Sequence, residues 1–522
     1  MVLEHDLTLV NKVNRLLRWG HWFTFFNVII ALVVTASYFA ADPLPQDGLG
    51  WLYLLLTWFG HTAFLCFLYF ILTIFPLSLL FPSQRHVRGL GAIIATVGLV
   101  VLIFDAYVYQ QLGYHAGAAS YAQTVDLLRQ QVVTNLRNFV VIVGSVASLL
   151  LMAELTISNF CWKKTERLRQ SALGPWALRF FLTSFVISHL LHIWADANQN
   201  YSITKLDHVL PLTYPATARS VLARYELLDA ASLQQHPAAA SIRTLTPHQS
   251  VIHCTASAPA TPVLVWVVPQ VSDTLAAQLA QDGFRTLPQH LAPVDTQSAL
   301  VNLLYADFSL AHPSLTEPPH WLSQLPAHFV DLSISPRWQV MLPWFEAKAS
   351  HPQSSLKIQL LDDDSALPGL APANAAQTPS VVIEATAHVG QSLANDSLLG
   401  YSRVFYRWPA LQQLRLDELT QHLDLVPTLL AHSGCFNQQL WPGENLFKPS
   451  HIPRLNILPG QVYAVRKDKL LRVNDDGSYH VSSAGTGVRL AQKMDIPMLI
   501  DALQRLQPVP LVSESSAEPS PP

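Results

Sequence analysis

The sequence predicts a bundle of five membrane-spanning α-helices followed by a soluble α/β domain. Half of the 522 residues are hydrophobic and only 13% are charged, which is too apolar for an ordinary soluble protein of this length. The apolar residues crowd into the first 200 positions, whereas the remainder alternates short β-rich runs with helical patterns. This division indicates one membrane domain and one layered α/β domain.

Five apolar runs are long enough, or nearly so, for the roughly 20 residues that a membrane span requires. The first is too long for the apolar region of a signal peptide, and no A-x-A-like site precedes a polar mature start, so we interpret it as a retained anchor. Tryptophans near the predicted ends are typical of membrane interfaces. The predicted spans are 21–41, 51–75, 89–109, 136–160 and 177–195.

The orientation follows from the basic residues of the loops. The loop between the first two spans has no lysine or arginine, and the third loop has only Arg129 and Arg137. The positive-inside rule therefore predicts a cytoplasmic N-terminus. Because the number of spans is odd, everything after residue 197 is expected on the opposite side, which is the periplasm in a Gram-negative cell. The remaining basic residues cluster at Lys12, Arg15, Arg18, Arg85, Arg88, Lys163, Lys164, Arg167 and Arg169.

Two ionisable residues fall within or near the ends of the predicted spans. An intramembrane ionisable group is a functional hypothesis by default, and His61 and Asp105 are such groups. No series of acidic residues accompanies them, so we interpret His61 as a neutral, hydrogen-bonded side chain packed against another helix. The spans also lack paired interrupted segments, which argues against a secondary transporter.

Strand and helix patterns alternate after residue 197. The pattern at 416–434 predicts a helix that ends at Gly434. The run at 462–481 predicts strand, turn and strand, with Asp476-Gly477 as the hairpin turn. Residues 230–250, rich in Ala, Gln and Ser, are predicted to form a linker, and the polar tail is predicted to be disordered. Buried strands are predicted at 262–269, 380–386 and 403–408.

Charge and cysteine content exclude two classes of function. The net charge of −3 and the pI near 6.7 argue against a nucleic-acid-binding protein, which would carry a basic patch. The four cysteines form no CxxC motif or Cys/His cluster, so a zinc site is not predicted. Cys254 and Cys435 could form a disulfide if their domain is extracytoplasmic, but sequence spacing does not establish this bond.

A short stretch beyond the last span has the chemistry of an anion site. In VLPLTYPATARSVLARY (209–225), a proline suits the first turn of a helix and a threonine can cap it. The free N–H groups of such a helix start, followed by arginines, favour phosphate. Val209, Leu210 and Leu212 are expected at the acyl boundary. An ordinary amphipathic linker helix with snorkelling arginines is the alternative. The predicted binding residues are Thr213, Tyr214, Pro215, Ala216, Thr217, Ala218, Arg219 and Arg224.

Four segments carry a resemblance to a known family. RLLRWGHWFTFFNVIIAL (15–32), FPSQRHVRGLGAIIATVG (81–98), SHLLHIWADANQNYSIT (188–204) and LPLTYPATARSVL (210–222) resemble the YejM family, also called PbgA or LapC. These Gram-negative inner-membrane proteins have five spans and a periplasmic sulfatase-like domain. The resemblance implies a transmembrane domain over 1–197, a juxtamembrane lipid-binding segment and linker over 198–250, a domain of the alkaline-phosphatase/sulfatase type over 251–510, and a tail over 511–522.

The same resemblance implies a function and partners. Members of the family bind lipopolysaccharide through its lipid A part and restrain LapB, the adaptor that delivers LpxC to the FtsH protease. An older proposal gave them a role as cardiolipin carriers. By this resemblance Arg15, Arg18 and Trp22 are expected to contact the adaptor. In the lipid-binding segment, Ser220 stands where other members tend to carry a second arginine.

Catalytic residues of the sulfatase type are not recognisable. Pro269 occupies the position of the metal-binding aspartate after the first strand, and Asp273 is expected to point elsewhere. The nucleophile segment offers only Asp295 or Thr296, and TAHVG (386–390) keeps His388 but lacks the aspartate. Such sites need clustered carboxylates and histidines. We therefore predict a pseudoenzyme without metal or cofactor, with a metal-dependent phospho- or sulfotransferase or hydrolase acting on envelope lipids as the alternative.

Overall fold

The chain divides into two compact units, Met1–Gln235 and His236–Pro522. The predicted tail and all but two residues of the predicted linker lie outside the described residues. For residues 9–10, 121–128, 130–136, 138–139, 201, 496–497 and 504 the backbone alone is described. The computed structural model describes residues 9–41, 44–45, 47–81, 83–117, 121–198, 200–213, 245, 247, 251–254, 262–287, 289–326, 328–346, 354–364, 367, 378–388, 393, 397–412, 419–437, 441–448, 452–490 and 495–506.

The first unit is helical. Its described helices are α1 (Leu9–Thr35), α2 (Gly48–Leu72), α3 (Ile74–Leu80), α4 (Gln84–Leu112), α5 (Tyr121–Arg169), α6 (Leu173–Ala197) and α7 (Tyr201–Thr204), with a 3-10 turn at Ala36–Ala40. Five stretches are long and apolar enough to cross a membrane, which confirms the predicted number of spans. They are Asn11–Ala40, Gly48–Leu80, Gln84–Leu112, Val140–Arg169 and Leu173–Ala197.

Two local features shape the second span. Helix α2 is interrupted at Thr73, because Pro76 has no N–H to donate to the carbonyl four residues earlier. Gly60 of α2 lies against the backbone of α6, where a Cβ would come within 2.5 Å of the Phe185 nitrogen. A glycine therefore permits this close approach of two helices.

The second unit is built around a mixed six-stranded sheet. Its strand order is β3-β9-β7-β2-β6-β5, in which β5, β6, β2 and β7 run parallel and β9 is antiparallel to both neighbours. The smaller sheets are β10-β4-β8, β12-β13-β14-β15 and β1-β11. The strands are β1 (Ile252–Cys254), β2 (Val263–Val268), β3 (Arg285–Thr286), β4 (His290–Pro293), β5 (Val330–Ile334), β6 (Leu356–Leu360), β7 (Ser380–Glu384), β8 (Leu399–Tyr401), β9 (Val404–Arg407), β10 (Thr420–Gln421), β11 (Cys435–Asn437), β12 (Arg454–Leu458), β13 (Gln461–Arg466), β14 (Lys469–Asn474) and β15 (Tyr479–Ser483).

Apolar side chains bury both faces of the central strand. Val265 and Val267 of β2 belong to one core cluster, and Trp266 and Val268 belong to another. A parallel strand covered on both faces needs such a continuous apolar run. The predicted α/β class is confirmed. The described helices of this unit are Asp273–Gln281, Thr296–Leu300, His320–Ser323, Pro336–Gln339, Pro409–Gln412, Leu425–His432 and Ile496–Leu503, with 3-10 turns at Ser309–Ala311, His422–Asp424 and Gln504–Leu506 and a π-helix at Val301–Tyr305.

Two predicted elements need correction. The helix expected over 416–434 begins only at Leu425, because the two residues of β10 pair with β4 and a capping box between Gln421 and Asp424 then starts a 3-10 turn. Its end at Gly434, with φ +72°, is as predicted. The segment over 462–481 contains parts of three strands rather than two, because a second turn forms at Lys467 with φ +52°.

The disulfide that the sequence left open is present. Cys254 and Cys435 are bonded, and they face each other across the antiparallel pair β1-β11. Cys66 and Cys161 are free. The bond joins cysteines 181 residues apart and so restricts the unfolded chain of the second unit strongly.

Candidate functional site

Histidines of the membrane unit hold the segment that follows the last span. We call residues 200–213 the post-span segment. His61 of α2 donates through Nε2 to the Pro211 carbonyl at 2.8 Å, and His115 donates through Nε2 to the His208 carbonyl at 2.9 Å. A carbonyl only accepts, so each Nε2 carries a proton. The interpretation of His61 as a hydrogen-bonded side chain is confirmed, although its partner is this segment and not another helix.

Asp105 completes the anchor at His115. Its carboxylate accepts from the Tyr38 hydroxyl at 2.7 Å, from the Ala116 N–H at 2.8 Å and from Nδ1 of His115 at 2.7 Å. Both ring nitrogens of His115 are thus engaged, one by Asp105 and the other by the His208 carbonyl. The intramembrane carboxylate therefore serves to fix this histidine. Sequence reasoning singled out Asp105 but missed His115, whose second partner, His208, is 93 residues away.

The apolar residues of the post-span segment fold back onto the helices. Val209 and Leu210 are each 2% exposed and pack with Tyr38, Tyr53 and other residues of one cluster. The prediction that these two side chains lie at the acyl boundary is wrong, because they fill a gap between the ends of the spans. Leu212, with φ +56°, is exposed.

Thr213 is the last described residue before the predicted lipid site. Its hydroxyl lies 2.5 Å from the Asp207 carbonyl and 2.8 Å from the Leu210 carbonyl, so it donates back into the post-span segment. The other predicted residues lie outside the described residues. They are Tyr214, Pro215, Ala216, Thr217, Ala218, Arg219 and Arg224.

The three residues predicted to contact a partner lie on α1. The Arg15 guanidinium carbon lies 4.2 Å from the centre of the Trp162 ring, and Arg18 approaches Glu166 at 3.7 Å. Trp22 packs beside Gly174. Arg15 and Arg18 thus contact α5, and the adaptor contact stays a prediction.

In the second unit, Pro269 and His388 follow two neighbouring strands of the central sheet. Strands β2 and β7 are parallel neighbours, so their carboxyl ends lie side by side. Pro269 follows β2, and the Asp273 carboxylate is exposed and pairs with Arg403 Nη1 at 2.8 Å. Asp273 therefore points away from the edge, as predicted.

Glu384, at the end of β7, fills this edge. It is fully buried. One oxygen accepts from the Val271 N–H at 2.8 Å and lies 2.9 Å from Nδ1 of His388, and the other accepts from the Arg403 N–H at 2.9 Å. The carboxylate thus ties the loop after β2 to the start of β9. Sequence reasoning missed Glu384, although a charged residue that ends a buried strand is a signal for it.

The remaining candidates have local structural roles. Asp295 caps the helix Thr296–Leu300 by accepting from the Ser298 N–H at 2.8 Å, and Thr296 is the first residue of that helix. In the acidic loop at 361–369, Asp362 accepts from the Ser335 hydroxyl and Asp364 from the Ser272 N–H. These two aspartates therefore have different partners and do not form a common site.

These residues do not fit the metal that a phosphatase or sulfatase site implies. Proline offers no side-chain ligand, both oxygens of Glu384 have donors, and a lone His388 cannot hold a metal. Within the described ranges, no three histidine, cysteine, aspartate or glutamate side chains are placed to bind one.

A groove of about 740 Å³ opens beside this edge. Asp273, Thr286, Gln289, Tyr401 and Arg403 contribute to its lining. Apolar side chains such as Leu287, Leu393 and Phe405 line the rest of it.

A buried histidine pair lies next to β7. His422 Nε2 donates to the Ala385 carbonyl at 3.1 Å, so its Nδ1 accepts from His290 Nε2 at 2.8 Å, and His290 Nδ1 accepts from the Thr420 hydroxyl at 2.8 Å. Both rings are neutral in this chain of bonds. Burial lowers the pKa of His422 to about 3 and the pKa of His290 well below its usual range.

We expect the second unit to lose stability in acid. The two histidines bind protons below about pH 6.5 in the unfolded chain, whereas the buried pair in the folded chain does not. The free energy of unfolding therefore falls as the pH drops from about 6.5 toward 3. Each histidine contributes a loss of about 1.4 kcal/mol for every pH unit. Unfolding of the full chain in detergent at pH 7.5 and 5 measures this. His422→Asn should reduce the pH dependence, and the exposed His253→Gln should leave it unchanged. Equal slopes in all three proteins would contradict the assignment.

The fold and the site together define a multi-pass membrane protein whose second unit is an α/β domain. In that domain the buried carboxylate of Glu384 occupies one edge of the central sheet. Residues 6–247 match the family model described as "Domain of unknown function (DUF3413)". The chain is 34% identical over 236 residues to "Inner membrane protein YejM" of Salmonella typhimurium and, equally, of Salmonella typhi. An uncharacterized protein of Haemophilus influenzae is 31% identical over 219 residues. The resemblance to the YejM family is thereby confirmed, and the chain is a multi-pass inner-membrane protein.

The likeness covers the membrane half. The Salmonella match takes in 45% of this chain and 39% of the relatives' length, and the Haemophilus match takes in 42% and 37%. A solved structure described as a protein in the alkaline phosphatase superfamily from Vibrio parahaemolyticus is similar over 52% of this chain and 91% of its own, with 9% identity and a TM-score of 0.33.

Proposed function

We propose that this protein is a non-enzymatic inner-membrane sensor of lipopolysaccharide, which it binds through lipid A. The observation that carries the proposal is the anchored post-span segment. His61 and His115 fix its backbone carbonyls, and the predicted phosphate-binding sequence follows at residues 214–224. A site that begins at a fixed point on the bundle is preorganised, which reduces the ordering cost of binding.

The second unit serves binding or regulation in this proposal. Glu384 uses its carboxylate to join two loops, in the place where a sulfatase would hold its metal. The Cys254–Cys435 disulfide supports a periplasmic location, since disulfides persist in oxidising compartments. The basic loops support the same topology.

The output of the sensor is control of lipopolysaccharide synthesis. By resemblance to its family, the protein restrains a LapB-type adaptor and thereby the degradation of LpxC by FtsH. The predicted contact residues Arg15, Arg18 and Trp22 lie near the start of α1, on the side with the basic loops. Lipid binding is the input and adaptor restraint is the output, so the two are separable by mutation.

Purification of the full chain from membranes tests the input directly. We expect lipopolysaccharide and a LapB-type adaptor among the molecules that co-purify, identified by mass spectrometry. Recovery of the protein without lipopolysaccharide, together with no binding of added lipid A, would contradict the sensor.

A separate prediction concerns metal. Because the residues at the sheet edge do not fit a metal, elemental analysis of the purified protein should show no stoichiometric zinc, manganese, calcium or magnesium. Phosphatase and sulfatase assays should show no activity that chelation abolishes. One equivalent of metal with chelator-sensitive activity would establish the enzyme alternative.

A further inference from the structure

We propose that the basic end of the helical bundle binds the phosphate of an anionic phospholipid between Arg15 and Arg88, against the ring of Trp162. This site lies at the start of α1, the start of α4 and the end of α5, far along the chain from the predicted lipid A residues. It does not involve the lipid A site proposed above, although it shares Arg15 with the predicted adaptor contact.

The three helices are locked together next to the site. The Trp19 indole N–H donates to the Ser158 carbonyl at 3.0 Å, and the Ser158 hydroxyl donates to the Arg88 carbonyl at 3.3 Å. Gly91 makes room for the Trp19 ring, since a Cβ there would lie 3.0 Å from it. Trp19 is fully buried. The position of Trp162 on α5 is therefore fixed relative to α1 and α4.

Both arginines lie on the same indole. The guanidinium carbon of Arg15 is 4.2 Å from the ring centre, and that of Arg88 is 5.0 Å from it. Cation–π contact with Trp162 holds both guanidinium groups in place. Arg88 Nη2 also donates a hydrogen bond to Asn159 Oδ1 at 3.2 Å. Two cations this close repel each other, and a phosphate between them removes that cost.

The arginines have donors to offer such a phosphate. The Arg88 Nε–H is buried and has no hydrogen-bond partner among the residues that the structure describes. Neither guanidinium is paired with a carboxylate within the described part of the chain, whereas the neighbouring Arg18 is paired with Glu166. Arginine binds phosphate through paired N–H groups, so these two side chains form a phosphate site.

The surroundings favour a lipid as the source of the phosphate. Residues 9–18, 83–91 and 160–172 carry nine lysines and arginines and a single acid, Glu166. Basic pockets between membrane helices bind anionic headgroups at the leaflet surface. The apolar lengths of the three spans adjoin the site, so acyl chains can follow them into the bilayer.

Native mass spectrometry of the full chain in detergent tests the proposal. With added phosphatidylglycerol we expect one tightly bound lipid, with phosphatidylcholine bound about tenfold more weakly. Arg15→Ala and Arg88→Ala should each weaken phosphatidylglycerol binding about tenfold, and Arg15→Lys should lose less because it keeps the charge. Arg85→Ala, on the same turn of α4, and Arg18→Ala are matched controls that should change it less than about twofold.

Three results would overturn the proposal. Equal losses of phosphatidylglycerol binding in Arg85→Ala and Arg15→Ala would show a diffuse charge effect. Equal binding of phosphatidylglycerol and phosphatidylcholine would show that the site does not prefer an anionic headgroup. Inorganic phosphate that binds as tightly as phosphatidylglycerol would assign the site to a soluble anion. Arg15 is exposed, so its variants test the site even if Arg88→Ala does not fold.

Discussion

Arg219→Ala is expected to weaken lipid A binding by about one to two orders of magnitude. A charge-assisted hydrogen bond to phosphate contributes about 1.5–3 kcal/mol, which corresponds to this loss. Arg219→Lys should fall between wild type and alanine, because it keeps the charge but loses the paired donors. Binding of lipid A to the purified full-length variants measures both effects.

Lys205→Ala provides a matched control in the same region. Lys205 belongs to the post-span segment but not to the predicted phosphate site, so its removal should cost less than about threefold in affinity. Wild-type binding by Arg219→Ala would assign the segment to an ordinary linker helix. Attention would then move to Arg224 or to the second unit.

The same variant has an expected cellular result. A sensor that no longer detects lipid A should fail to limit synthesis, so cells that carry Arg219→Ala should accumulate LpxC and lipopolysaccharide. The protein should remain inserted in the membrane at wild-type abundance. Loss of lipid A binding with normal LpxC levels would separate the lipid site from the regulatory output.

The membrane spans were predictable because the bilayer fixes their length. A run of about 20 apolar residues is seldom found outside a membrane span, and each predicted span lies within or overlaps an observed one. The interruption at Thr73 also has a local cause, Pro76. In contrast, the burial of Val209 and Leu210 depends on a cavity between helices that are distant in sequence. From the sequence alone, two apolar side chains could equally well contact lipid or pack inside the protein.

In the second unit, strand positions were predictable and side-chain partners were not. The run at 262–269 is apolar throughout and became β2. The late start of the helix at Leu425 results from pairing between β10 and β4, some 130 residues apart. Glu384 meets Val271 across 113 residues, and no local pattern encodes that contact. Lys467 adopts a positive φ, which is uncommon for a residue with a side chain, so its turn had no sequence signal.

The lack of a metal-binding side chain directly after β2 was predictable, whereas the role of Glu384 was not. Proline after β2 rules out a ligand at that position by its chemistry alone. What stands there instead could be learned only from the structure, where Glu384 joins the Val271 and Arg403 backbones.

Glu444→Gln is expected to destabilise the second unit by about 3–5 kcal/mol, because it leaves buried charge without its partner. Glu444 contacts Arg505 at 2.5 Å and Arg454 at 3.2 Å, and Arg454 also approaches Asp424 at 3.3 Å. All four side chains are at least nine-tenths buried. Burial lowers the pKa of Arg505 and raises the pKa of Asp424, so each ion depends on its opposite charge.

Chemical unfolding of the full chain in detergent measures this loss, with the exposed Glu317→Gln as a control that should cost less than about 0.5 kcal/mol. The double variant Glu444→Gln with Arg505→Met should be less unstable than Glu444→Gln alone, because it removes the Arg505 guanidinium that loses its carboxylate partner, whereas Arg454 keeps Asp424. A loss below about 1 kcal/mol in Glu444→Gln, or additive losses in the double variant, would contradict a coupled ionic network. Arg505 follows the last described helix, Ile496–Leu503, so Glu444 connects the end of that helix to Arg454 at the start of β12.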